Sequence, residues 1–341
     1  MNYKILKEVS RMLEDGTVVY AVRATKDFTV GGRQVYKGER GGWVEFDHNL
    51  SGNAWVADQA VILGHSMVYG SALIEGNAII KDGAFVYGSA IVRGFATVCN
   101  HAKVRDYAIV EGSATVKDWV EIEEHAHIDG DAEVSGYAKI QGQARVTERG
   151  SVRGKVILRE NSFVGGFASV FDRAIMKGKS RALDHANIFG DSVITDRATI
   201  GGFASVFDRA EIGGNAIIEG HTYVATTSII KGETHLEAAV TVRGATILSD
   251  EDYLIFKDKL AGRKSARNMI IWSKSNNGWS YGTFQGSGVE FIRFGYNYSD
   301  KCRDSFKAIV TEVCNKIGIK PPNVVKKPRF GDNILPASQK K

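Results

Sequence analysis

His185 and His221 are the side chains best suited to general-base chemistry, because a neutral imidazole can take a proton from a hydroxyl or an amine near pH 7. They belong to a series. At one fixed interval the chain reads Asp131, Arg149, Phe167, His185, Phe203 and His221, with Phe95 farther back in the same series. Alternating Phe and His outside a core also mark a contact surface, so Phe95, Phe167, His185, Phe203 and His221 double as a candidate interaction surface. A general base needs a substrate held beside it and water kept out, and no stretch of the sequence builds that pocket.

Other candidates are weaker. The run Glu123-Glu124-His125-Ala126-His127 sets carboxylates beside imidazoles, which raises a histidine's affinity for a proton or a metal ion. It reads more simply as a solvated corner, and no metal site is expected. Cys99, Cys302 and Cys314 lack metal-ligand spacing and leave one thiol over in any disulfide scheme, which points to a reducing compartment. The glycine-rich run from Gly282 to Gly288 lacks the Lys-Ser/Thr ending of a phosphate loop and reads as turn geometry. Arg263, Lys264, Arg267 and Lys274 with Trp272, Trp279 and Tyr281 make a candidate basic aromatic patch for nucleic acid. Scattered cations without a known motif are more often a solvated face.

What must position these residues is a strict hexapeptide period from Ser51 to Leu248, 33 units such as SGNAWV, ADQAVI and LGHSMV. Position six is Val, Ile or Leu in 31 of the 33, the exceptions being Met176 and Ala182. Position four is usually Ala, and position two most often Gly. A period this regular means a repeat architecture. In an extended chain, positions four and six point the same way, so small and aliphatic residues face inward together. Gly or Asp at position two supplies the bend. Three units, one per side, close each coil, and at ~4.8 Å per coil the 11 coils make a prism about 50 Å long.

Residues a full coil apart therefore lie above one another. The series His65, His101, Trp119, Tyr137, Lys155, Arg173, Asp191 and Arg209 places its two histidines two coils apart, about 9.6 Å, too far to share a metal. The segment Gly165–Ala174 recurs word for word at Gly201–Ala210, again two coils on. Units 147–158 and 171–182 are the least regular, and slight bends or vacancies are expected there.

These units resemble the hexapeptide-repeat proteins that form left-handed parallel β-helices. Their usual motif places Gly directly after the aliphatic residue; here it usually comes second, as in Val68-Tyr69-Gly70-Ser71-Ala72. The segment Gly41-Gly42-Trp43-Val44, followed by Asn49-Leu50-Ser51-Gly52, is similar to the entry segment of bacterial and prophage proteins with such repeats. The likeness covers roughly the first 248 residues. It implies an all-β solenoid of about 11 triangular coils and a homotrimer. In enzymes of the wider family it implies acyl transfer from acetyl or acyl coenzyme A, with a catalytic His beside a subunit cleft framed by a protruding loop. No loop interrupts residues 51–248. The expected function is accordingly a non-catalytic structural or protein-binding scaffold, phage or prophage associated, with coenzyme A-dependent acyl transfer at a subunit interface as the alternative.

Three regions flank or follow the repeat. Residues 1–50 show two strand patterns and read as a β cap, with Trp43 as a lid over the first coil. Residues 249–320 predict a small α+β module that closes the other end: a helix over Tyr253–Leu260, a hairpin turning at Asn276-Asn277-Gly278, and a helix from Asp300 to Ile317. Residues 321–341 hold all four prolines and many lysines, an extended tail suited to reaching a partner. Of the net charge of +5, residues from Ser249 onward carry +8 and the first 248 about −3. No apolar run is long enough for a membrane span and no secretory core opens the chain, which suggests a cytoplasmic protein or one carried in a virion.

Overall fold

The computed structural model describes residues 2–237, 239–257, 269–296 and 300–324. Each hexapeptide unit gives one short strand, and strands a full coil apart pair in parallel, as Ile79 does with Val61 and Thr97. The result is a β-solenoid of about 11 coils with three faces. Face I contains Val61–Ile62 and Ile79–Ile80, face II contains Met67–Val68 and Phe85–Val86, and face III contains Trp55–Val56 and Leu73–Ile74. Positions four and six are buried from Ala54 to Val242, in one continuous core that also takes in Val44 and Ile247.

The turns follow from an accounting of backbone donors. N–H groups at positions one, three and five donate to carbonyls of the next coil, for example Ala57 to Ile74, Asn53 to Gly70 and Trp55 to Ala72. The position-two N–H sits in the left-handed bend, and it is often taken by a carboxylate one coil earlier. Gly142 donates to Glu124 at 2.7 Å, Gly178 to Glu160 at 2.9 Å and Gly214 to Asp196 at 2.8 Å. Acidic residues at position two thus satisfy the neighbouring bend.

The Gly214 N–H, and next the Thr195 hydroxyl, hold the Asp196 carboxyl below the usual aspartate range. The folded state prefers the ionised form, so this stabilisation is present above the ordinary Asp pKa of about 3.9 and is lost as pH falls through the lowered value. Asp196→Asn should lower the melting temperature by about 2 °C at neutral pH. In acid the two proteins should melt together.

The two departures from the aliphatic rule fall in one coil. Met176 on face II and Ala182 on face III are both fully buried, a long side chain beside a short one. The ladder passes through without a bend, Met176 pairing with Leu158 and Ile194, and Ala182 with Val164 and Ile200. The expected distortion does not occur in the register.

At the N-terminal end the antiparallel strands Tyr3–Met12 and Val18–Ala24 and the strand Arg40–Val44 extend face I. Trp43 pairs with Val61 and Leu50 bridges Val68, each a full coil on, so the repeat register already holds before Ser51. Trp43 is not the lid. It takes the outward position and packs with Leu6, Val19, Ala21 and Val61, beneath the guanidinium groups of Arg11 and Arg40. The core end is completed by Tyr3, Val22 and Val44, while Phe28 meets Trp55 edge-on at 5.6 Å. The glycine pair has a steric cause: a Cβ on Gly41 would lie 2.4 Å from the Val56 carbonyl oxygen, and one on Gly42 2.6 Å from that of Ala60.

At the other end the last unit is cut short. Ile230 pairs with Ile247, one position less than a full coil, and Leu248 is 48 % exposed where the hexad count places it inward. Tyr253–Lys257 is a strand rather than a helix. It is half-buried on both sides, with Tyr253 and Ile255 against the solenoid core and Leu254 and Phe256 against the core of the C-terminal module. The hairpin forms as expected between Met269–Ser273 and Gly278–Tyr281, followed by the strand Phe284–Gly286. A helix over Gly288–Tyr296, absent from the sequence reading, starts with a capping box: Glu290 N–H donates to Ser287 Oγ at 3.3 Å and Ser287 N–H to Glu290 Oε2 at 2.7 Å. The helix Asp300–Lys316 follows. The module closes the prism through Ser280 Oγ to the Thr241 carbonyl and Asn276 Nδ2 to the Gly244 carbonyl, both 2.8 Å. Among the described residues, no helix is long and apolar enough to cross a membrane.

Candidate functional site

The Phe–His series stands at the corner between faces III and I. Phe167, His185, Phe203 and His221 form a continuous ladder with ring centroids 4.9, 4.9 and 5.0 Å apart and planes within 12° of parallel. Arg149 covers the free face of Phe167 at 5.4 Å. Phe95 belongs to the same column four coils away and is 67 % exposed. Coil spacing explains the ladder: side chains ~4.8 Å apart can only stack face to face. The ring faces are therefore used within the chain, and edges are what the column offers outward.

For catalysis this is a poor setting. Neither His185 nor His221 has a side-chain hydrogen bond or ion pair among the described residues, so no carboxylate orients either ring. A second ladder, Phe171, Phe189 and Phe207, runs along the corner between faces I and II with centroids 4.7 and 4.9 Å apart. Between the two ladders the face carries only the small polar side chains of Ser169, Asn187 and Ser205.

His127 has the most developed polar surroundings of any histidine, through one residue of the preceding coil and one two positions on in the sequence. Its Nε2 lies 2.7 Å from Glu111 Oε1 and 3.6 Å from Asp129 Oδ2. Glu123 and Glu124 turn elsewhere, Glu123 to Arg105 and Glu124 to the Gly142 N–H. The partner Glu111 sits in the preceding coil, directly in line with Asp129, a relation found only after the coil is drawn. Burial would raise the Glu111 pKa, but hydrogen bonds from Arg93 and His127 outweigh it and hold the carboxyl below its usual range.

Donor atoms of Glu111, His127 and Asp129 lie within 4.8 Å of one another, close enough to hold a metal ion. Each carboxylate is already shared with a guanidinium, Glu111 with Arg93 at 2.5 Å and Asp129 with Arg145 at 3.0 Å. The row Arg93, Glu111, His127, Asp129, Arg145 is a balanced chain of charges. An added cation would have to displace its members. Beside it, His125 stacks on Tyr107 at 5.0 Å, and His125, His127, Gln143, Arg145 and Asn161 line a shallow groove of about 490 Å³.

The basic aromatic patch does not assemble as read. Trp272 and Trp279 are 3 % and 2 % exposed, facing each other across the hairpin inside the module core. Trp279 stacks on Phe291 at 5.2 Å, and Tyr281 meets Phe291 and Phe306 edge-on. Lys274 is exposed, whereas Arg263, Lys264 and Arg267 lie outside the described residues. The indoles are core, so they offer no face to a base.

No family model matches this chain, and among curated proteins none is significantly similar to it.

Proposed function

We propose that the protein is a non-catalytic scaffold: a rigid prism that offers the Phe95 and Phe167–His221 edge to a protein surface and holds the C-terminal module at a fixed distance. One observation carries this reading. The coil-to-coil pairing runs from Val61 to Val242 without a protruding loop, so nothing along the prism encloses a substrate beside His185 or His221. The resemblance of the Gly41–Val44 segment to prophage proteins supports a phage setting, and the resemblance of the repeat to hexapeptide-repeat proteins implies a homotrimer.

Solution mass and calorimetric titration with coenzyme A test it together. The expected outcome is an oligomer that gives no heat with coenzyme A and loses mass when Phe167 and Phe203 are both replaced by Ser. Micromolar coenzyme A binding, with acyl transfer removed by His185→Ala or His221→Ala, would overturn the proposal.

A further inference from the structure

The corner between faces II and III carries a cluster of cations that the scaffold reading does not use. Over three successive coils it presents Arg159, Lys177, Lys179 and Arg197, with Arg181 beside them on face III, all exposed. None of the five is within ion-pair distance of a carboxylate among the described residues. Elsewhere on the prism many such cations are paired, as Lys103 and Lys139 are with Glu121 and Lys117 with Glu133, although Arg153, Lys155 and Arg209 have no carboxylate within ion-pair distance among the described residues either.

The imbalance has a structural cause. The acids of this corner, Glu160 and Asp196, occupy position two, where their carboxylates accept the N–H groups of Gly178 and Gly214. They turn to the bends, and although Asp196 still feels the charge of Lys177, neither comes within ion-pair distance of a cation of this corner. The unit Lys177-Gly178-Lys179-Ser180-Arg181-Ala182 even sets three cations on alternate residues of one side.

We propose that this corner binds the phosphate backbone of duplex nucleic acid without regard to base sequence. Three shape and chemistry arguments select that occupant. The cations follow an outer corner over three coils, with Arg159 and Lys177 at the bend and Arg181 on face III, a row of positive charge that can track a phosphate backbone. The ring nearest the ridge, Phe163 on face III, is half-buried with Arg181 over one of its faces at 5.1 Å, so the ridge lacks the row of open aromatic faces on which the bases of a single strand stack. Unpaired Arg and Lys side chains are the groups that position proteins on phosphates.

The test is fluorescence anisotropy of the full chain with a short labelled duplex of random sequence, across a range of salt concentrations. Five phosphate contacts should give a slope of log affinity against log salt of about −4.5. The variant Lys177→Gln, Lys179→Gln, Arg197→Gln should melt like the wild type, bind at least about tenfold more weakly and lose about 3 from the slope. No binding at low salt, or a triple variant that binds with the wild-type slope, overturns the proposal. So does loss of binding when Arg263, Lys264 and Arg267 are replaced by Gln while the ridge variant still binds. Binding to a sulfated polysaccharide without binding to duplex overturns it as well, and reassigns the ridge to acidic polysaccharide.

Discussion

Replacing Val206 by Asp should end cooperative melting of the repeat at neutral pH. Val206 is fully buried on face I, between Ile188 and Val224 of the coils on either side. The interior there is filled by aliphatic and Ala side chains, so a carboxylate finds no partner. An isolated buried charge costs on the order of tens of kcal/mol in the idealised limit, and in practice the group takes up a proton instead. The neutral acid is still an unsatisfied polar group in a space shaped for Val. Either cost is large beside a total stability of about 5–15 kcal/mol.

Because each coil touches only its neighbours, the damage should begin locally and split the stack. Circular dichroism melting should show a lost or divided transition, partly restored as pH is lowered and the acid becomes neutral. Ser205→Asp, at the adjacent but outward position, should melt within about 0.5 kcal/mol of the wild type. Equal melting of the two variants would refute the inward assignment of position six.

Much of this architecture can be read from residue types alone, because a period of two within a period of six leaves one choice of inward residues. The failures share a cause: they depend on what lies beside a residue rather than along it. The final unit RGATIL fits the hexad in text, yet a shortened turn puts Ala245 and Ile247 inward and lets the module's hairpin approach. Tyr253–Lys257 follows an acidic cluster suited to a helix start, but its apolar residues face two cores at once, which only a strand permits. Trp43 has the size of a lid, whereas position five of the unit Glu39–Val44 fixes it outward. Cations surround Trp272 and Trp279 in sequence and suggest a surface for their indoles; strand pairing turns both to the same covered side.

The candidate sites divide the same way. The Phe167–His221 column is legible, since the coil period alone predicts adjacency. Its consequence is not, because stacking at the coil spacing uses the ring faces and changes what the column can contact. For His127 the sequence suggests Glu123 and Glu124, while the fold brings Glu111 from the preceding coil and turns Asp129, two residues on, toward the ring. The cationic ridge is hidden by composition. A count of charges sets Glu160 and Asp196 against these cations, and only the fold shows that their carboxylates turn to Gly178 and Gly214 instead of forming ion pairs.

Gly214→Val tests the physical basis of position two. Gly214 has φ +66°, and a Cβ there would lie 2.5 Å from the Gly232 nitrogen in the next coil. That atom belongs to the stacked backbone and cannot move without shifting the coil. The left-handed conformation costs a β-branched residue about 1–2 kcal/mol, and overpacking adds about 1–3 kcal/mol. The expected loss is roughly 3 kcal/mol, a fall of about 10 °C in melting temperature. Gly64 separates the two contributions. Its φ is +56°, but a Cβ would meet nothing closer than the Asp82 nitrogen at 4.0 Å. Gly64→Val should therefore lose only the conformational part, about half as much. Equal losses at both sites would mean that the bend alone selects glycine; a larger loss at Gly214 assigns the excess to the close approach of successive coils.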